Sequence, residues 1–550
     1  MTGGEALVEQ LVRERIDTLF AVPGVQLDWA TDALRRAQNK IKVFIPRHEQ
    51  ATSYMADGYA RTTGKIGACM VVPGPGLLNA MAGLATAYAC NSRVLCISGN
   101  IHSSGVGKGR GLLHEINRQS EILGAVTKWH GAARTAADIP GLLREAVHQL
   151  TTGRPQPVGI EISHDLLATK GDYSIIDPAQ EDGRLQPQSV QVAAAAALLN
   201  SARFPVIYAG GGVLAGGAST QLTALAEKID APVVMSENGR GALSDRHRLA
   251  LNAVGGRAVF AHADVALIVG SRFVDITSGR PLLTRPGLKI IYINADASII
   301  AENPHDVGVL SDAALGLEAL CHEVKSRPVS VNLQSVREWV KAQTVKLGPQ
   351  TGWIGALREA IPPDGILVNE LTQVGYFARS HYEVYQPNTF ITPGYQGTLG
   401  YGFPTALGAA VGANGRPVVS ITGDGGFGWS LQELATAARY KLKVAVVIFN
   451  DGHFGNVRTL QRAQFGASFG DELYNPDFHM LSQAFNVRYV KAKEPGELTG
   501  ALRASFESEG PTVIEVPVGE MPSPWHLMRL IAPPFPEGTP PNPLGETGAA

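Results

Sequence analysis

The chain has 550 residues, of which 45% are hydrophobic and 17% are charged, and its formal net charge at pH 7 is −2. This apolar content is too high for a disordered protein, and the balanced charge leaves no basic footprint of the kind that binds nucleic acid or an anionic membrane. At roughly 100–200 residues per domain, the length predicts about three folded units. The composition therefore favours a soluble globular protein.

The start of the chain and its cysteines indicate a compartment. Residues 5–13 follow an amphipathic pattern that carries Glu5, Glu9 and Arg13, and no positively charged start with an apolar core is visible. The longest apolar runs are far shorter than the ~20 residues that span a bilayer. The four cysteines show neither CxxC spacing nor the density of a disulfide framework, so we expect reduced thiols. We expect a cytoplasmic protein with no membrane partner.

Apolar runs of strand length recur along the chain between longer helical stretches. They are continuous and rich in Val and Ile, which is typical of strands buried on both faces of a parallel sheet covered by helices. The predicted fold class is α/β, with three domains that each contain a mainly parallel sheet. In chain order the predicted strands are 68–72, 94–98, 206–209, 233–235, 265–269, 290–293, 418–421, 444–449 and 512–516.

Composition shifts mark the joints between these domains. Residues 170–188 are rich in Asp, Pro and Gln, and residues 325–352 are polar and lose the strand pattern. The final stretch is rich in proline, so we expect an extended or disordered tail without a catalytic part. The predicted boundaries are 1–180 for the N-terminal domain, 181–340 for a central Rossmann-like domain, 341–530 for the C-terminal domain and 531–550 for the tail.

A glycine-rich turn follows the predicted strand 418–421. It reads Gly423-Asp424-Gly425-Gly426, and after a predicted helix at 430–439 the next strand ends in Asn450-Asp451-Gly452. Ligands bind at the carboxyl ends of parallel strands, where glycines expose N–H groups to phosphate oxygens. The segment therefore predicts a cradle for an anion, with a carboxylate inside it.

That carboxylate would repel a diphosphate unless a divalent cation lay between them. Mg²⁺ prefers one or two oxygen side chains together with phosphate oxygens and water. Asp424 and Asp451 could supply these oxygens, with a backbone carbonyl at His453 as a third donor. A glycine-rich turn and a polar loop without any ligand remain the alternative for Gly-Asp-Gly alone, since short glycine motifs have many false positives.

Longer motifs show a specific resemblance. Gly423-Asp424-Gly425 followed by Asn450-Asp451, with QELATAARY between them, is similar to the cofactor motif of thiamine-diphosphate enzymes. RHEQATSYMADGYARTTGK at 47–65, VVPGPGLLNAMAGLATAY at 71–88 and GYQGTLGYGFPTALGAA at 394–410 resemble the acetolactate synthase branch of that family. The family usually has Asn-Asn where this chain has Asn-Asp, and aspartate is an equally good oxygen donor. The resemblance covers nearly the whole chain.

The resemblance implies a pyrimidine-binding N-terminal domain and a C-terminal domain that binds the diphosphate and Mg²⁺. Glu49 stands at the family's position for the carboxyl group that activates the aminopyrimidine, Leu399 at the position that bends the cofactor, and Gly397 at that of a supporting carbonyl. A surface glutamate and an ordinary core leucine are the alternatives. Further positions implied to bind the cofactor are Gln373, Gly375, Gly423, Gly425, Gly426 and Gly455.

Two further residues fall where relatives line the substrate pocket. Gln26, after the Pro23-Gly24 turn, is a candidate hydrogen-bond partner for the substrate carbonyl. His114 stands where acetolactate synthases typically carry glutamine, and a histidine there could move a proton near neutral pH. A loop histidine bonded to backbone is the equally weighted alternative, because geometry rather than residue type decides a catalytic role.

The function implied by the resemblance is that of a 2-keto acid decarboxylase or carboligase like acetolactate synthase, with pyruvate as the first donor to test. Relatives place the cofactor between two subunits, so we expect at least a homodimer, and a homotetramer is common. Relatives also bind FAD in the central domain, partly through a stretch that reads NAVGG at 252–256 here, but a purely structural domain explains these glycines equally well, so FAD is not favoured. The alternatives are an oxalyl-CoA or 2-hydroxyacyl-CoA lyase, a benzaldehyde-lyase-like carboligase, a flavin-dependent keto acid oxidase and a non-catalytic relative.

Overall fold

The computed structural model describes residues 1–179, 183–282 and 286–544, so the predicted boundary at 180/181 lies outside the described residues. Three units follow one another, each built on a six-stranded parallel sheet flanked by helices. The predicted α/β class with three mainly parallel sheets is confirmed. Within the described ranges, none of the helices combines the length and the apolar character needed to cross a membrane.

The first unit contains seven helices and six strands. The helices are α1 (Gly3–Arg13), α2 (Asp28–Arg36), α3 (Glu49–Thr63), α4 (Pro75–Cys90), α5 (Gln119–Gly124), α6 (Ile139–Thr151) and α7 (His164–Ala168), and the strands are β1 (Thr18–Ala21), β2 (Lys42–Phe44), β3 (Gly67–Val71), β4 (Val94–Asn100), β5 (Trp129–Ala132) and β6 (Val158–Ser163). The strand order is β2-β1-β3-β4-β6-β5. Because β3 is buried along its whole length, helices cover both faces of the sheet.

The second unit has the Rossmann-like alternation of strands and helices. Its helices are α8 (Ser189–Ser201), α9 (Gly211–Ala215), α10 (Ser219–Lys228), α11 (Ala253–His262), α12 (Ala297–Glu302) and α13 (Ala313–Glu323), and its strands are β7 (Pro205–Ala209), β8 (Val233–Met235), β9 (Ala250–Leu251), β10 (Val265–Val269), β11 (Lys289–Asn294) and β12 (Val307–Leu310). The order β12-β11-β10-β7-β8-β9 places the reversal of winding between β7 and β10. A crevice at that point is the usual ligand site of such a sheet.

The third unit carries the glycine-rich turn at the centre of its sheet. Its helices are α14 (Gln334–Gln343), α15 (Gly348–Ala360), α16 (Gln373–His381), α17 (Gly402–Gly412), α18 (Asp424–Gly428), α19 (Leu434–Arg439), α20 (Gly455–Phe465), α21 (Phe478–Ala484) and α22 (Pro495–Phe506), and its strands are β13 (Ile366–Asn369), β14 (Phe390–Ile391), β15 (Val418–Gly423), β16 (Val444–Asn450), β17 (Arg488–Lys491) and β18 (Thr512–Pro517). The strand order is β14-β13-β15-β16-β18-β17.

Each strand predicted from the sequence is present, but the helix predicted at 430–439 is not continuous. The turn itself starts a helix, α18, directly at Asp424. A 3₁₀ turn at Leu431–Glu433 then leads into α19. The three glycines at 425, 426 and 428 explain only why α18 is short, because glycine weakens a helix interior.

The first and third units meet where α3 crosses α17. A side chain at Gly58 of α3 would collide with the carbonyl of Thr405, and one at Gly408 of α17 would collide with the carbonyl of Met55. The two backbones therefore touch directly, which only glycine permits at these positions. This contact fixes the position of the start of α3 relative to the third sheet.

The end of the described chain is extended but packed. Leu530 and Leu544 contribute to a hydrophobic cluster of the second unit. Glu537 forms a 2.5 Å ion pair with Arg257 of α11, and both side chains are almost completely buried. The segment 531–544 is therefore anchored to the second unit through Glu537 and Leu544, although few of its residues are buried; the last six residues of the predicted tail, 545–550, lie outside the described residues.

We expect Gly408→Ala to destabilise the protein, because its methyl group would be forced against the Met55 carbonyl. Overpacking of this kind costs roughly 1–3 kcal/mol. Gly355→Ala is the matched control, since this exposed glycine lies inside helix α15 with open space around it and its substitution should be neutral or stabilising. Thermal unfolding of both variants measures the difference, and equal melting temperatures would contradict the proposed tight crossing.

Candidate functional site

Two carboxylates meet at the ends of the adjacent strands β15 and β16. Asp424 is only 2% exposed, and its Oδ2 accepts hydrogen bonds from the N–H of Gly452 at 3.0 Å and the amide of Asn475 at 2.6 Å. Asp451 Oδ1 accepts the N–H of His453 at 3.1 Å, and its Oδ2 accepts the side-chain amide of Gln373 at 2.7 Å. The strand register pairs Gly423 with Phe449, so the two turns lie side by side as the sequence predicts.

The electrostatics of this pair favour a cation. Burial, followed by the charge of Asp424, raises the pKa of Asp451 to about 6. Two acidic groups that repel each other in a partly dry pocket are stabilised by a divalent ion between them. The donor set of carboxylate and amide oxygens is the chemistry that Mg²⁺ prefers, so the residues present fit such an ion.

The predicted third donor to the cation is the backbone carbonyl of His453, not its imidazole side chain. His453 Nδ1 faces the carbonyl of Asp451 at 2.7 Å, so the imidazole is engaged locally. Within the described part of the chain no three side chains of His, Cys, Asp or Glu gather as a metal site. Of the groups of His453, only its backbone carbonyl therefore stays a candidate ligand beside Asp424 and Asp451.

Asn475 is a member of this cluster that the sequence did not indicate. Its amide donates to Asp424 and, at 3.3 Å, to the side chain of Asn450. It thereby joins the loop before α21 to the ends of β15 and β16. A single asparagine before a proline gives no sequence signal beyond a loop, which explains why it was missed.

The predicted glycines are required by close contacts. A Cβ at Gly455 would lie 2.6 Å from Asp451 Oδ2, and one at Gly425 would lie 2.7 Å from the ring of Phe454. A Cβ at Gly426 would strike the carboxylate of Glu370. Gly423 ends β15 in extended conformation immediately before α18. The glycines let the backbone pack directly against Asp451, Phe454 and Glu370, and this glycine cradle lies beside the two carboxylates.

Gly375 and Gln373 differ in what they offer. The N–H of Gly375 donates to the hydroxyl of Thr372 at 3.0 Å, so it is not free for a phosphate in this conformation. Gln373 bonds Asp451 through its side chain, while its Oε1 accepts the N–H of Met521 at 2.6 Å. Gln373 therefore holds Asp451 through its side chain, and the backbone contacts of this segment to a diphosphate stay a prediction.

Glu370, directly after β13, is a second residue that the sequence did not indicate. It is 2% exposed and accepts hydrogen bonds at 2.9 Å from the N–H groups of Gly400 and Gly402 and from the hydroxyl of Thr422. Burial raises its pKa to about 7 although these three donors oppose the shift. The carboxylate ties the strand ends to the segment that follows Leu399, and an acidic residue right after a buried strand was the available signal.

The Gly397–Leu399 loop lies between the units. Gly397 has φ +56°, a left-handed conformation that favours glycine. Leu399 is half-buried, and its neighbour Thr398 accepts a 3.3 Å hydrogen bond from Tyr54 of α3. The loop is therefore placed by both the third sheet and helix α3.

Glu49 begins α3 in the first unit. It is half-buried, and its Oε2 accepts the amide of Asn79 at 3.0 Å, while no other described side chain bonds its Oε1. A Cβ at Gly76 would lie 3.7 Å from that Oε1 and 2.6 Å from a methyl group of Val72. The carboxyl group thus borders the Val72–Gly76 turn between β3 and α4.

Gln26 and His114 meet beside the same turn. Gln26 is 5% exposed; its amide donates to the carbonyl of Leu113 at 3.2 Å and its Oε1 lies 3.1 Å from Nδ1 of His114. His114 has φ +67°, a rare conformation for a non-glycine residue, and its carbonyl packs against Gly74. A side-chain partnership replaces the expected alternative of a histidine bonded only to backbone.

The structure therefore gathers the predicted residues into two clusters. The N-terminal cluster, which contains Glu49, Gln26 and His114, surrounds the Val72–Gly76 turn; the C-terminal cluster surrounds Asp424 and Asp451. Across the described ranges no hydrogen bond joins Glu49, Gln26 or His114 to the C-terminal cluster.

The three units correspond to three family models. Residues 1–122 match the N-terminal thiamine pyrophosphate binding domain of thiamine pyrophosphate enzymes, residues 192–320 match the central domain and residues 370–516 match the C-terminal thiamine pyrophosphate binding domain. The two clusters fall in the two domains whose models are described as cofactor-binding.

Full-length relatives agree with these models. A Pseudomonas aeruginosa protein named "Probable 2-ketoarginine decarboxylase" is 34% identical over 532 residues, with 94% of each chain covered. The acetolactate synthase large subunit of Parasynechococcus marenigrum is 32% identical over 553 residues, covering 94% of this chain and 88% of that one. A Methanococcus aeolicus protein named "Probable acetolactate synthase large subunit" is 29% identical over 561 residues, covering 94% and 92%. With all three domains present in order, the chain belongs to the thiamine pyrophosphate enzyme family.

Proposed function

We propose that the protein is a thiamine-diphosphate- and Mg²⁺-dependent 2-keto acid decarboxylase or carboligase of the acetolactate synthase type. The observation that carries the proposal is the pair Asp424 and Asp451 beside the glycine cradle, in a chain that also presents Glu49 at the start of α3. Family relatives named as acetolactate synthases and as a 2-ketoarginine decarboxylase support the reaction class.

In this proposal the C-terminal cluster holds the cofactor's diphosphate. Asp424, Asp451 and the backbone carbonyl of His453 bind Mg²⁺, which offsets the repulsion between the carboxylates and the phosphate oxygens. The glycine cradle lets backbone N–H groups approach those oxygens. Gln373 and Asn475 donate to the two carboxylates and hold them in orientation.

The N-terminal cluster would act on the other end of the cofactor. Thiamine diphosphate, when bound, supplies a carbon that adds to a keto group and accepts the electron pair released with CO₂. Glu49 Oε1, the oxygen left free by Asn79, would be the atom that exchanges a proton with the pyrimidine side of a bound cofactor. Gln26 and His114 face the substrate, where the amide orients a carbonyl and the imidazole moves a proton.

A second copy of the chain would bring the two clusters together. Large apolar side chains are exposed near both: Val25 (62%) and Leu113 (64%) beside the first, and Trp429 (57%) and Phe465 (72%) near the second. A dimer that joined the two clusters could bury such side chains, and burial of apolar surface favours association. We therefore propose a homodimer at least, in which Glu49 of one copy serves the diphosphate site of the other, and a homotetramer as the further assembly.

The central unit contains a cavity, and decarboxylation or carboligation does not require a ligand in it. Its volume is about 300 Å³, and its lining includes Gly211 after β7, Gly270 after β10 and the side chain of Arg379. This is the switch point of the Rossmann-like sheet, where FAD would lie if it were bound. Decarboxylation and carboligation transfer no net electrons to a flavin, so we keep FAD as not favoured; a colourless purified protein is the expected result.

Product analysis tests the reaction class. The holoenzyme is incubated with pyruvate, with pyruvate plus an aldehyde, and with 2-ketoarginine, which a 34% identical relative is named for. We expect CO₂ release that depends on added thiamine diphosphate and Mg²⁺. A new C–C bond identifies a carboligase and a free aldehyde a decarboxylase. No CO₂ from any donor by protein that binds the cofactor would contradict the proposal and favour a non-catalytic relative.

Glu49→Gln should fold and bind the cofactor but lose most turnover. Loss of a positioned acid–base group costs roughly 100- to 10,000-fold in rate. Glu9→Gln, which changes a half-exposed side chain of α1 that pairs with Lys40, is the control and should keep full turnover. Full activity of the Glu49 variant would refute its role.

Asp451→Asn should stabilise the cofactor-free protein at neutral pH. The folded-state pKa of Asp451, about 6, lies above the ordinary value of 3.8. The stability that its protonated form contributes to the folded protein is therefore fully present below about pH 4 and is lost as the pH rises through 6. The variant should therefore melt higher than the wild type at pH 7.5 and without advantage near pH 4. Mg²⁺ with thiamine diphosphate should reduce that advantage by stabilising the wild type more.

Calorimetry over this pH range, with the exposed Asp172→Asn as control, measures the effect. If the wild type and the Asp451 variant melt together at pH 7.5 while Asp172→Asn behaves as the wild type, the carboxylates do not repel each other as described.

A further inference from the structure

The QELATAARY segment contains a carboxylate that reaches from the third unit into the first. Glu433 is completely buried, and its oxygens accept the backbone N–H groups of Arg47, at 3.1 and 3.2 Å, and of His48, at 3.1 Å. The hydroxyl of Thr436 donates to its Oε2 at 2.6 Å. These two backbone groups immediately precede Glu49, the first residue of α3.

The same stretch of the first unit is held a second time by the third unit. The N–H of Ile45 donates to the hydroxyl of Tyr440 at 3.0 Å, and the rings of Phe44 and Tyr440 are 4.9 Å apart. The connection from β2 to α3 therefore contacts the Glu433–Tyr440 segment of the third unit. Glu433 is the charged residue in that contact.

A buried carboxylate is expensive unless donors satisfy it. Burial raises the pKa of Glu433, and the described partners that oppose the shift are hydrogen bonds from Thr436, Arg47 and His48, with the charge of His48 as a smaller contribution. The N–H groups before a helix otherwise lack a partner, so the carboxylate fixes where the helix begins and how its first turn is oriented. Glu49 belongs to that first turn.

We propose that Glu433 is a positioning residue for Glu49: by accepting the N–H groups of Arg47 and His48 it sets the entry of α3 and with it the direction of the Glu49 carboxyl group. The inference rests on the proposed role of Glu49. Glu433 follows the Asp424 turn in the same unit, so in the proposed dimer the unit that holds one diphosphate also sets the acid of the other site.

Amide hydrogen exchange of the cofactor-free protein tests the contact without any turnover. In the wild type the amides of Arg47 and His48 should exchange slowly although Arg47 is exposed, and exchange at the rate of an unstructured peptide would overturn the proposal. Glu433→Met, which keeps the volume and removes the acceptors, should speed exchange at these two amides roughly tenfold or more. Unchanged slow exchange in this variant would overturn the proposal.

Turnover then separates positioning from general stability. Glu433→Met should lower kcat roughly 10- to 100-fold, the range expected from misplacing a reacting group, with an unchanged apparent Kd for thiamine diphosphate and Mg²⁺. Glu433→Gln should stay within a few-fold of the wild type, because its amide oxygen can accept both N–H groups and its NH₂ can donate to Thr436. A Gln variant as slow as the Met variant would show that charge, not this contact, matters and would refute the proposal.

Asp245→Asn is the control, since Asp245 is a largely buried acid that also accepts a backbone N–H across two units, that of Val384, although it pairs with Arg240 as well. An equal fall in kcat in this control would mark the Glu433 effect as merely structural. If Glu433→Met does not fold, the wild-type exchange and the Gln variant still decide the proposal. Normal turnover of Glu433→Met beside an inactive Glu49→Gln refutes only this inference, whereas an active Glu49→Gln refutes the proposed function.

Discussion

The backbone contact between α3 and α17 is the constraint on which the rest of the molecule depends. Gly58 and Gly408 each face a carbonyl of the opposite helix, so the two helices lie closer than any side chain would permit. Close packing of this kind has little freedom to slide, because both surfaces are rigid backbone. The contact with α17 therefore fixes the position of the start of α3, which carries Glu49, relative to the third sheet as well as to its own sheet.

Several acidic side chains surround the candidate site, and hydrogen-bond donors, rather than basic side chains, are their main partners. Glu370 and Glu433 are held mainly by backbone N–H groups and hydroxyls, and Asp451 by an amide and a backbone N–H. Burial raises the pKa of all three. Clusters of perturbed acids are typical of functional sites, where a missing partner is supplied by a ligand, or where the acid holds a loop in place. Here Asp451 fits the first description, and Glu370 and Glu433 the second.

The sequence predicted the fold class and the strands because buried parallel strands leave continuous Val and Ile runs, and it predicted Asp424, Asp451 and Glu49 because they sit in long local motifs. It could not show that Gln373 uses its side chain, that Asn475 joins the carboxylates, or that Glu433 reaches Arg47, since each contact joins segments far apart in the chain. A tertiary contact made by a single polar residue leaves no periodic pattern in the sequence, so it cannot be predicted from that pattern. The helix predicted at 430–439 shows the same limit locally, because its first residues form a 3₁₀ turn and only Leu434–Arg439 are α-helical.

The packing of the chain's end has a consequence for how the protein is made. Leu530 and Leu544 complete the core of the second unit, and Arg257 stays without its acidic partner until Glu537 arrives. On a ribosome, residues near 257 emerge long before those near 537, so the Arg257–Glu537 ion pair can form only after the third unit has been synthesised.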